Sequence, residues 1–381
     1  MSFQAFRFDP PEFPDAAHEL RREVRAFLDE NKALMRPMPS GFSPEFSRKV
    51  AERGWLGMTW PRQYGGKERT AYERYVMIEE MLAAGAPVGA HWVADRQSGP
   101  NLLRYGTEEQ KQFFLPKIAA GEMYFAIGMS EPDSGSDLAG TRTRAVKVDG
   151  GFRVNGSKLW TSNAHRAHYM ILFCRMAEAG QEIDRHAGAT QFLVDMKSPG
   201  LEIRPVHNLL GEHHFNQIFI NDLFVPDNRL LGQVGAGWKQ VTGELAFERS
   251  GPERFLSTFR LLVELVRAAG PDPEPGVTAA IGRLIAHLAI LRRMSMSIAG
   301  MLQRGDNPNV EAAVVKDLGT SFEQETSAVA RVTIPAEPTL SAMDAYISTL
   351  ARTTLNSPRF SIQGGTREIL RGIIARGLGL R

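Results

Sequence analysis

The sequence contains a single cysteine, Cys174, which lies within the apolar run YMILFC. One thiol excludes a disulfide framework within the chain and a thiolate metal cluster, and its apolar neighbours predict a buried, unreactive side chain. The N-terminus lacks a basic segment followed by an apolar one, so no signal peptide is predicted. No long uninterrupted apolar run is present, and we therefore expect no transmembrane helix. Together these absences predict a protein of the reducing cytoplasm.

The sequence also lacks an excess of charge of either sign. Its 45 basic and 43 acidic residues give a formal net charge of +2, which argues against a nucleic-acid-binding protein. His165, His168 and the pair His213-His214 have no carboxylate at ligand spacing, so we interpret them as surface or stacking residues rather than a metal site. No G-x-G-x-x-G follows a strand and the SGSD serines lack a G-x-S-x-G elbow, which argues against a Rossmann site and a serine hydrolase.

With 381 residues, the chain is long enough for two or three packed units. Residues 1–123 carry helical periodicity and two capping boxes, which begin at Thr70 and Thr107. Residues 124–234 switch to closely spaced strand-like segments with Gly and Pro turns, typical of a small barrel or sandwich. Residues 235–381 return to the helical period. The predicted fold is α+β and multidomain, with an N-terminal all-α domain, a middle β-barrel or sandwich domain and a C-terminal domain like a four-helix bundle.

The same periodicities predict the individual elements of the middle and C-terminal domains. Strands are predicted at Phe125–Ile127, Thr141–Val148, Phe152–Val154, His168–Met176, Thr190–Met196, Leu201–Val206 and Phe215–Val225. C-terminal helices are predicted at 237–269, 276–303, 309–332, 337–356 and 366–377, and the proline-rich segment 270–275 must be an extended connection between the first two.

The stretch FAIGMSEPDSGSD, from Phe125 to Asp137, lies where helical patterns give way to strand-like ones. It begins as a short apolar strand and continues as a polar loop rich in serine. A loop with many hydroxyls and free backbone N–H groups suits an acceptor-rich ligand such as a flavin ring or a pyrophosphate. A serine-rich surface turn accounts for the same residues equally well.

Several motifs together resemble the acyl-CoA dehydrogenase family. They are FAIGMSEPDSGSD, SKLWTSNA, TWPRQYGG, GEHHFNQIFINDLFVP and GGTREILRGIIAR, and they are spread over nearly the whole chain in the family's order. The resemblance implies the family's three-domain fold and FAD as cofactor. It also implies α,β-dehydrogenation of a CoA thioester, in which a carboxylate removes the α-proton while N5 of FAD accepts the β-hydride.

The resemblance also implies which residues contact the cofactor. Trp160 would lie against the flavin ring, since an aromatic face stacks on such a ring, although a core tryptophan on a strand is the alternative. Ser136 would lie near the pyrophosphate or the acyl-CoA. Thr366 is predicted to cap a helix whose N-terminus faces a phosphate or flavin edge, and Arg367 and Arg371 lie one turn apart behind it. The full implied cofactor set is Ile127, Met129, Ser130, Gly135, Ser136, Trp160, Thr161, Ser162, Thr366 and Glu368.

The catalytic base departs from the commonest family pattern. Most members carry the base in a C-terminal EGT motif, whereas here Gly364 stands at the glutamate's place, and glycine cannot accept a proton. A minority of the family carries the glutamate on the first helix of the C-terminal domain, where this chain reads LAFERSGP. The resemblance therefore implies Glu248 as the base, held dry against the substrate, and Arg249 beside the acyl-CoA.

Other readings of this region stay open. Glu248 as a solvated helix residue, or as a partner of Arg249, is the alternative to its role as base. Glu244, Glu253 and Asp317 are weaker candidates for the base.

Two family motifs that bind the FAD of a neighbouring subunit are absent from the sequence. R-x-x-F-G is missing near 270–290 and Q-x-x-G-G-x-G is missing near 335–345. The resemblance thus extends to the base-carrying subunit of α2β2 heterotetramers that act on steroid-type acyl-CoAs. It implies an unlike partner chain, an electron-transfer flavoprotein as acceptor and a bulky steroid- or ring-derived substrate. The alternatives are an oxidase of the same fold that reduces oxygen, and a non-catalytic scaffold subunit.

Overall fold

The computed structural model describes residues 6–35, 41–176, 185–248 and 251–380, and of residues 244–248 only the backbone. The chain forms two compact units. The first comprises Met1–Met35, Thr70–Ala86 and Leu245–Arg381, and the second comprises Arg36–Arg69 and Pro87–Glu244. The domain boundaries predicted after residues 123 and 234 stay a prediction.

Eleven α-helices are present within the described residues. They are α1 Asp15–Glu30, α2 Pro44–Glu52, α3 Ala71–Ala83, α4 Gly99–Tyr105, α5 Glu108–Ala119, α6 Gly237–Glu248, α7 Phe259–Ala269, α8 Pro275–Gln303, α9 Asn309–Thr333, α10 Ala345–Phe360 and α11 Arg367–Gly377. A π-helical turn, Ala94–Ser98, directly precedes α4. The sequence did not predict α4 or this turn.

Both predicted capping boxes are confirmed. At the start of α3, the Thr70 hydroxyl accepts from the Glu73 N–H and the Glu73 carboxylate accepts from the Thr70 N–H. Thr107 and Gln110 make the same reciprocal pair at the start of α5. These bonds satisfy N–H groups that the first turn of a helix leaves without partners, which is why the motif marks a helix start reliably.

Eight strands of the described part of the chain form one mixed sheet. They are β1 Phe125–Gly128, β2 Arg144–Val148, β3 Gly151–Lys158, β4 Tyr169–Met176, β5 Ala189–Asp195, β6 Leu201–His207, β7 His213–Pro226 and β8 Leu230–Leu231. The strand order is β6-β7-β3-β2-β4-β5-β8, and β1 pairs with β4. All seven predicted strands are found, although β2 begins three residues later than predicted because Thr141 and Thr143 bind Glu131 instead.

The inward faces of the strands converge on one apolar core. Phe152 of β3 and Phe192 of β5 meet there with ring centroids 4.8 Å apart, although their strands are not neighbours in the sheet. Cys174 is completely buried in this core, as predicted. Burial raises the pKa of its thiol to about 12, which keeps the sulfur protonated and unreactive.

Helices α7 to α11 form a bundle within the first unit, and α9 packs against each of the others. By length and composition alone, helix α8 could span a membrane, although its sequence contains no long uninterrupted apolar run. Its residues Leu284, Leu291 and Ile298 are buried in the core of the bundle. One face of α8 therefore packs within this unit, whereas Ile285 and Ile290 of the same helix are exposed.

Two C-terminal helix predictions were wrong in their extent. The single helix predicted over 237–269 is broken: α6 ends at Glu248, a short 3-10 turn spans Pro252–Arg254, and α7 begins at Phe259. Pro252 has no N–H to continue a helical ladder, and its ring clashes with the preceding turn. Helix α10 begins at Ala345 rather than at 337, because the Asp344 carboxylate caps it by accepting from the Ile347 N–H at 2.9 Å.

Candidate functional site

The polar loop after β1 connects two strands, β1 and β2, that pair with different parts of the same edge of β4. Strand β1 pairs with the first half of β4, β2 pairs with its last two residues, and β5 pairs with the opposite edge. β1 and β2 therefore share one edge of β4, and residues 129–143 form the loop that connects them. The loop thus begins and ends at fixed positions beside the core of the sheet.

A buried ion pair holds both ends of this loop together. Lys158, the last residue of β3, donates from Nζ to Glu131 Oε1 at 2.8 Å and to the Met129 carbonyl at 3.0 Å. The Glu131 carboxylate also accepts from the Arg142 N–H at 2.7 Å and from the Thr143 N–H at 2.9 Å. Burial alone would raise the pKa of Glu131, but the Lys158 charge and these hydrogen bonds lower it to about 2. Glu131 is therefore ionised at neutral pH.

The outer part of the loop is exposed. Gly135 and Ser136, both predicted to bind the cofactor, lie on the surface at the tip. Two surface ion pairs flank them, Arg142 with Asp133 at 2.8 Å and Arg185 with Asp137 at 2.7 Å. Such pairs contribute little stability, so the tip depends for its position mainly on the buried part of the loop.

A second predicted segment, Leu159–Ser162, lies directly beside the first. The Leu159 N–H donates to the Ser130 carbonyl at 2.8 Å, which joins the two segments. Trp160 is 54% exposed and has a φ of 61°, in the left-handed region that bulky residues rarely adopt. The Thr161 hydroxyl is buried and has no hydrogen-bond partner among the described residues. The predicted residues Met129, Ser130, Trp160, Thr161 and Ser162 are thus brought together, and Ile127 lies in β1 immediately before them.

Asn216 of β7 supports this second segment from behind. It is fully buried, donates from Nδ2 to the Thr161 carbonyl at 2.9 Å, and accepts on Oδ1 from His213 Nε2 at 2.8 Å and from His165 Nδ1 at 3.2 Å. The two imidazoles stack with centroids 3.7 Å apart, which confirms the stacking predicted for these histidines. Burial lowers the pKa of His165 to about 4, so its ring is neutral at pH 7. The residues described contain no group of three or more His, Cys, Asp or Glu arranged to hold a metal ion.

The predicted base lies at the edge of what the structure describes. The backbone of Glu248 forms the last residue of α6, while the side chains of Glu244 and Glu248, together with the whole of Arg249, lie outside the described residues. Asp317, a weaker candidate, accepts from Arg367 Nε at 2.8 Å and lies 3.5 Å from Arg371 Nε. The two arginines thus face an anionic group, the Asp317 side chain of α9.

The segment before α11 lies within the first unit. Thr366 occupies the N-cap position with extended backbone, as predicted, but its side chain makes no capping bond to the helix backbone. A hydrogen bond from the backbone N–H of Glu368 and one from the Thr366 hydroxyl lower the pKa of the Glu368 carboxyl. The buried Lys316 donates to the Gly365 carbonyl at 2.7 Å, which fixes the double-glycine turn from behind.

The wall formed by Met129–Ser130 and Leu159–Ser162 fits a flavin. An exposed aromatic face lies next to a buried hydroxyl without a partner, and a flavin ring offers both a stacking surface and hydrogen-bonding edges. Sequence reasoning missed Glu131, Lys158 and Asn216, which contact the wall from inside. The sequence signals only two of these residues, Glu131 in the EP dipeptide after Ser130 and Lys158 before Leu159. Neither signal shows that the side chains of Glu131 and Lys158 meet.

Family models for three acyl-CoA dehydrogenase domains match the chain: the N-terminal domain at residues 14–122, the middle domain at 126–223 and the C-terminal domain at 235–379. FadE26 of Mycobacterium tuberculosis is 31% identical over 95% of this chain and 96% of its own length. FadE34 of the same organism is 33% identical over 95% of this chain, which spans about half, 48%, of that relative's length.

Two solved structures are similar over nearly their whole length. The ChsE4-ChsE5 complex of M. tuberculosis matches with a TM-score of 0.85 and 29% identity, covering 98% of this chain and 99% of that one. The Tcur3481-Tcur3483 steroid ACAD matches with a TM-score of 0.84 and 29% identity, covering 98% of each chain.

Proposed function

Because the chain belongs to the acyl-CoA dehydrogenase family, we propose that it dehydrogenates a bulky, steroid- or ring-derived acyl-CoA, with Glu248 as the base. One observation carries the proposal: the loop after β1 and the segment after β3 are joined into a wall with an exposed Trp160 and a buried, unpartnered Thr161 hydroxyl. When bound, FAD supplies the acceptor for the β-hydride.

The residues of the wall bind and orient the cofactor. Trp160 offers its exposed face for stacking, and the Ser130 N–H and the Thr161 and Ser162 hydroxyls serve as donors to the ring's edge. Thr366, the N-cap residue of α11, and Glu368, in the first turn of that helix, are part of the proposed cofactor set. Ser136 at the loop tip serves both the pyrophosphate and the acyl-CoA. Because FAD accepts the hydride, the protein itself has two tasks, which are to orient the cofactor and the substrate and to remove the α-proton.

Glu248 removes the α-proton of the thioester. A carboxylate held against an apolar substrate loses hydration, which raises its pKa and improves it as a base near neutral pH. Its place at the end of α6, before the Gly251–Pro252 break, puts the base where the helix stops. Arg249 then contacts the acyl-CoA.

The similar structures support the proposals for the substrate and the partner chain. One is named a steroid ACAD after two proteins and the other is a complex of two chains, which supports an α2β2 assembly and a steroid-type acyl group here. The absence of R-x-x-F-G and Q-x-x-G-G-x-G agrees with FAD contacts that come from an unlike subunit. Electrons pass to an electron-transfer flavoprotein, and the protein works in the cytoplasm.

The base is tested by Glu248→Gln in the complex with the unlike family member that the proposal requires as partner. We expect turnover with an artificial electron acceptor to fall by roughly 10²- to 10⁴-fold, the usual contribution of a general base, with FAD content unchanged. Glu274→Gln, at an exposed position before α8, is the matched control and retains wild-type turnover.

Two results would contradict the proposal in different ways. Wild-type turnover of Glu248→Gln, or a loss confined to Glu244→Gln, would remove Glu248 from its role. Reduction of oxygen at the rate of the artificial acceptor would identify an oxidase instead.

A further inference from the structure

We propose that Lys158 is a positioning residue of the flavin site, which turns the Met129–Ser130 peptide so that its N–H faces the cofactor. The inference rests on the proposed function, because it takes Ser130 to lie at the flavin ring. It concerns a residue whose side chain is 0% exposed and touches the loop only from inside.

The path of the Lys158 side chain depends on a glycine at the end of β1. A Cβ at Gly128 would lie 3.4 Å from Lys158 Cγ and 2.7 Å from Met170 Sδ. The absence of a side chain at Gly128 therefore leaves the space in which the lysine stem lies. This space brings the ammonium group beneath the first peptide of the loop.

The ammonium group has an acceptor for each of its three N–H bonds. These are Glu131 Oε1 at 2.8 Å, the Met129 carbonyl at 3.0 Å and Thr141 Oγ1 at 3.3 Å. A lysine buried without partners would lose its charge or destabilise the fold, and the Glu131 carboxylate opposes this. Burial lowers the pKa of the Lys158 ammonium, while the charge and the hydrogen bond of Glu131 act in the other direction. The pair therefore holds a hydrogen-bond donor at a fixed point behind Met129.

The hydrogen bond from Lys158 to the Met129 carbonyl decides which way the first loop peptide faces. The described residues contain no cis peptide bond, so the Met129 carbonyl and the Ser130 N–H point in opposite directions. Because the carbonyl faces Lys158 in the interior, the N–H faces the open side of the loop. The next carbonyl, that of Ser130, accepts from the Leu159 N–H at 2.8 Å and fixes the following peptide as well. The Ser130 N–H itself has no acceptor among the described residues, and it lies beside the segment that carries Trp160.

A purely structural role for the ion pair predicts something different. Glu131 alone binds the Arg142 and Thr143 N–H groups, so it fixes the far end of the loop without help from Lys158. Lys158 is distinguished by its bond to the Met129 carbonyl. A variant that breaks the ion pair but keeps this bond therefore separates orientation of the peptide from stability of the loop.

The test compares Glu131→Gln, Lys158→Met and the double variant, each as the full chain in complex with its partner. Thr141→Val, which removes only the longest contact, is the control. The readouts are the dissociation constant for FAD, the melting temperature of the apoprotein and the visible absorption spectrum of the bound flavin.

We expect Glu131→Gln and Thr141→Val to bind FAD within about threefold of wild type, although the first melts at a lower temperature. Lys158→Met and the double variant bind FAD at least about tenfold more weakly and shift the flavin absorption. The double variant melts higher than Lys158→Met, because it buries no unpaired charge.

Two outcomes overturn the inference. One is wild-type FAD affinity in the double variant, and the other is a loss of affinity that follows melting temperature across all variants, Glu131→Gln included. A wild-type complex that binds no FAD overturns the proposed function together with this inference. If the wild-type complex binds FAD and the Lys158 variants bind it with equal affinity, this inference alone is overturned.

Discussion

At the scale of single residues, Trp160 has a strained backbone conformation whose energetic cost is not offset by burial of its own side chain. Its backbone lies in the left-handed region, and more than half of its side chain is exposed, with one edge-on contact to Phe215 at 5.6 Å. Such backbone strain persists where the surrounding structure imposes it, and it is concentrated at ligand sites. The adjacent bonds between the Thr161 and Asn216 backbones and between Leu159 and Ser130 impose it here.

Trp160→Ala therefore separates FAD binding from folding. We expect FAD to bind roughly threefold to tenfold more weakly, the value of one aromatic stacking contact, while the free energy of unfolding changes by less than about 0.5 kcal/mol. Fluorescence titration and urea unfolding of the apoprotein measure the two quantities. Trp55→Ala is the contrasting variant, since loss of this completely enclosed side chain should lower the free energy of unfolding by about 3–5 kcal/mol. Equal destabilisation by both changes would make Trp160 a core residue.

Glu323 of α9 is a second residue with an unusual environment. It is completely buried, Oε1 accepts from the Ser257 N–H at 2.8 Å, and Oε2 has no hydrogen-bond partner among the described residues. Burial raises the pKa of Glu323 to about 7, against the opposing effects of the Ser257 hydrogen bond and the charges of Arg254 and Arg359. The folded protein therefore holds a proton that the unfolded chain releases near its ordinary value of 4.5.

This proton gives the stability a pH dependence with a defined sign. The raised pKa of Glu323 means that its contribution is most favourable below about pH 4.5 and is lost as pH rises through about 7. The loss amounts to at most roughly 3 kcal/mol. We expect Glu323→Gln to remove this loss and to raise the free energy of unfolding at pH 8 relative to wild type. Urea unfolding at pH 5.5 and pH 8 checks this, with Glu325→Gln on the same helix as control. Parallel pH profiles for wild type and Glu323→Gln would refute it.

At the scale of elements, the helix starts that sequence reasoning located best are those with a complete local signal. A capping box lies within four residues, so Thr70 and Thr107 could be identified without knowledge of the fold. The break after Glu248 was missed because the apolar periodicity continues across Gly251–Pro252. The prediction of a single helix followed this periodicity and gave too little weight to the proline. The Glu131–Lys158 pair could not be predicted, since its members are separated by 27 residues and meet only in the folded sheet unit.

The capping box of α5 has a second role that the sequence does not indicate. Gln110 Nε2 donates to the carbonyls of Asn228 and Leu230, both at 2.8 Å, and so ties the helix to the segment leading into β8. We expect Thr107→Ala to lower the free energy of unfolding by about 1 kcal/mol, the value of a cap. Gln110→Ala should cost about 1–3 kcal/mol more, because it also leaves two carbonyls without a donor. Urea unfolding measures both, and equal costs would show that the tie to β8 contributes nothing.

At the scale of the whole molecule, the bundle exposes apolar side chains where the family's partner contacts are missing from the sequence. Ile285 and Ile290 of α8 are 50% and 56% exposed, and Leu340 and Met343 lie exposed between α9 and α10. These positions coincide with the two segments, near 270–290 and 335–345, that lack the motifs for a like neighbour. Exposed apolar side chains in these two segments suit contacts with another chain.

This coincidence predicts that stable FAD binding depends on the second chain. Expressed alone, the protein should purify with much less than one FAD per chain. Coexpression with the proposed unlike partner should raise FAD content and melting temperature together, because a partner that binds only the folded chain stabilises it by mass action. Ile290→Asp should abolish this gain, since a charge buried at an apolar contact has no compensating partner. Leu209→Asp, a change at a 68% exposed apolar residue of the sheet unit, should leave the gain intact.

Gel filtration, together with the absorbance ratio of flavin to protein, measures the oligomeric state and the FAD content. A homo-oligomer that carries a full complement of FAD without the second chain would contradict the prediction. It would show that the site is complete in this sequence, and that the exposed residues of α8 serve contacts between like copies.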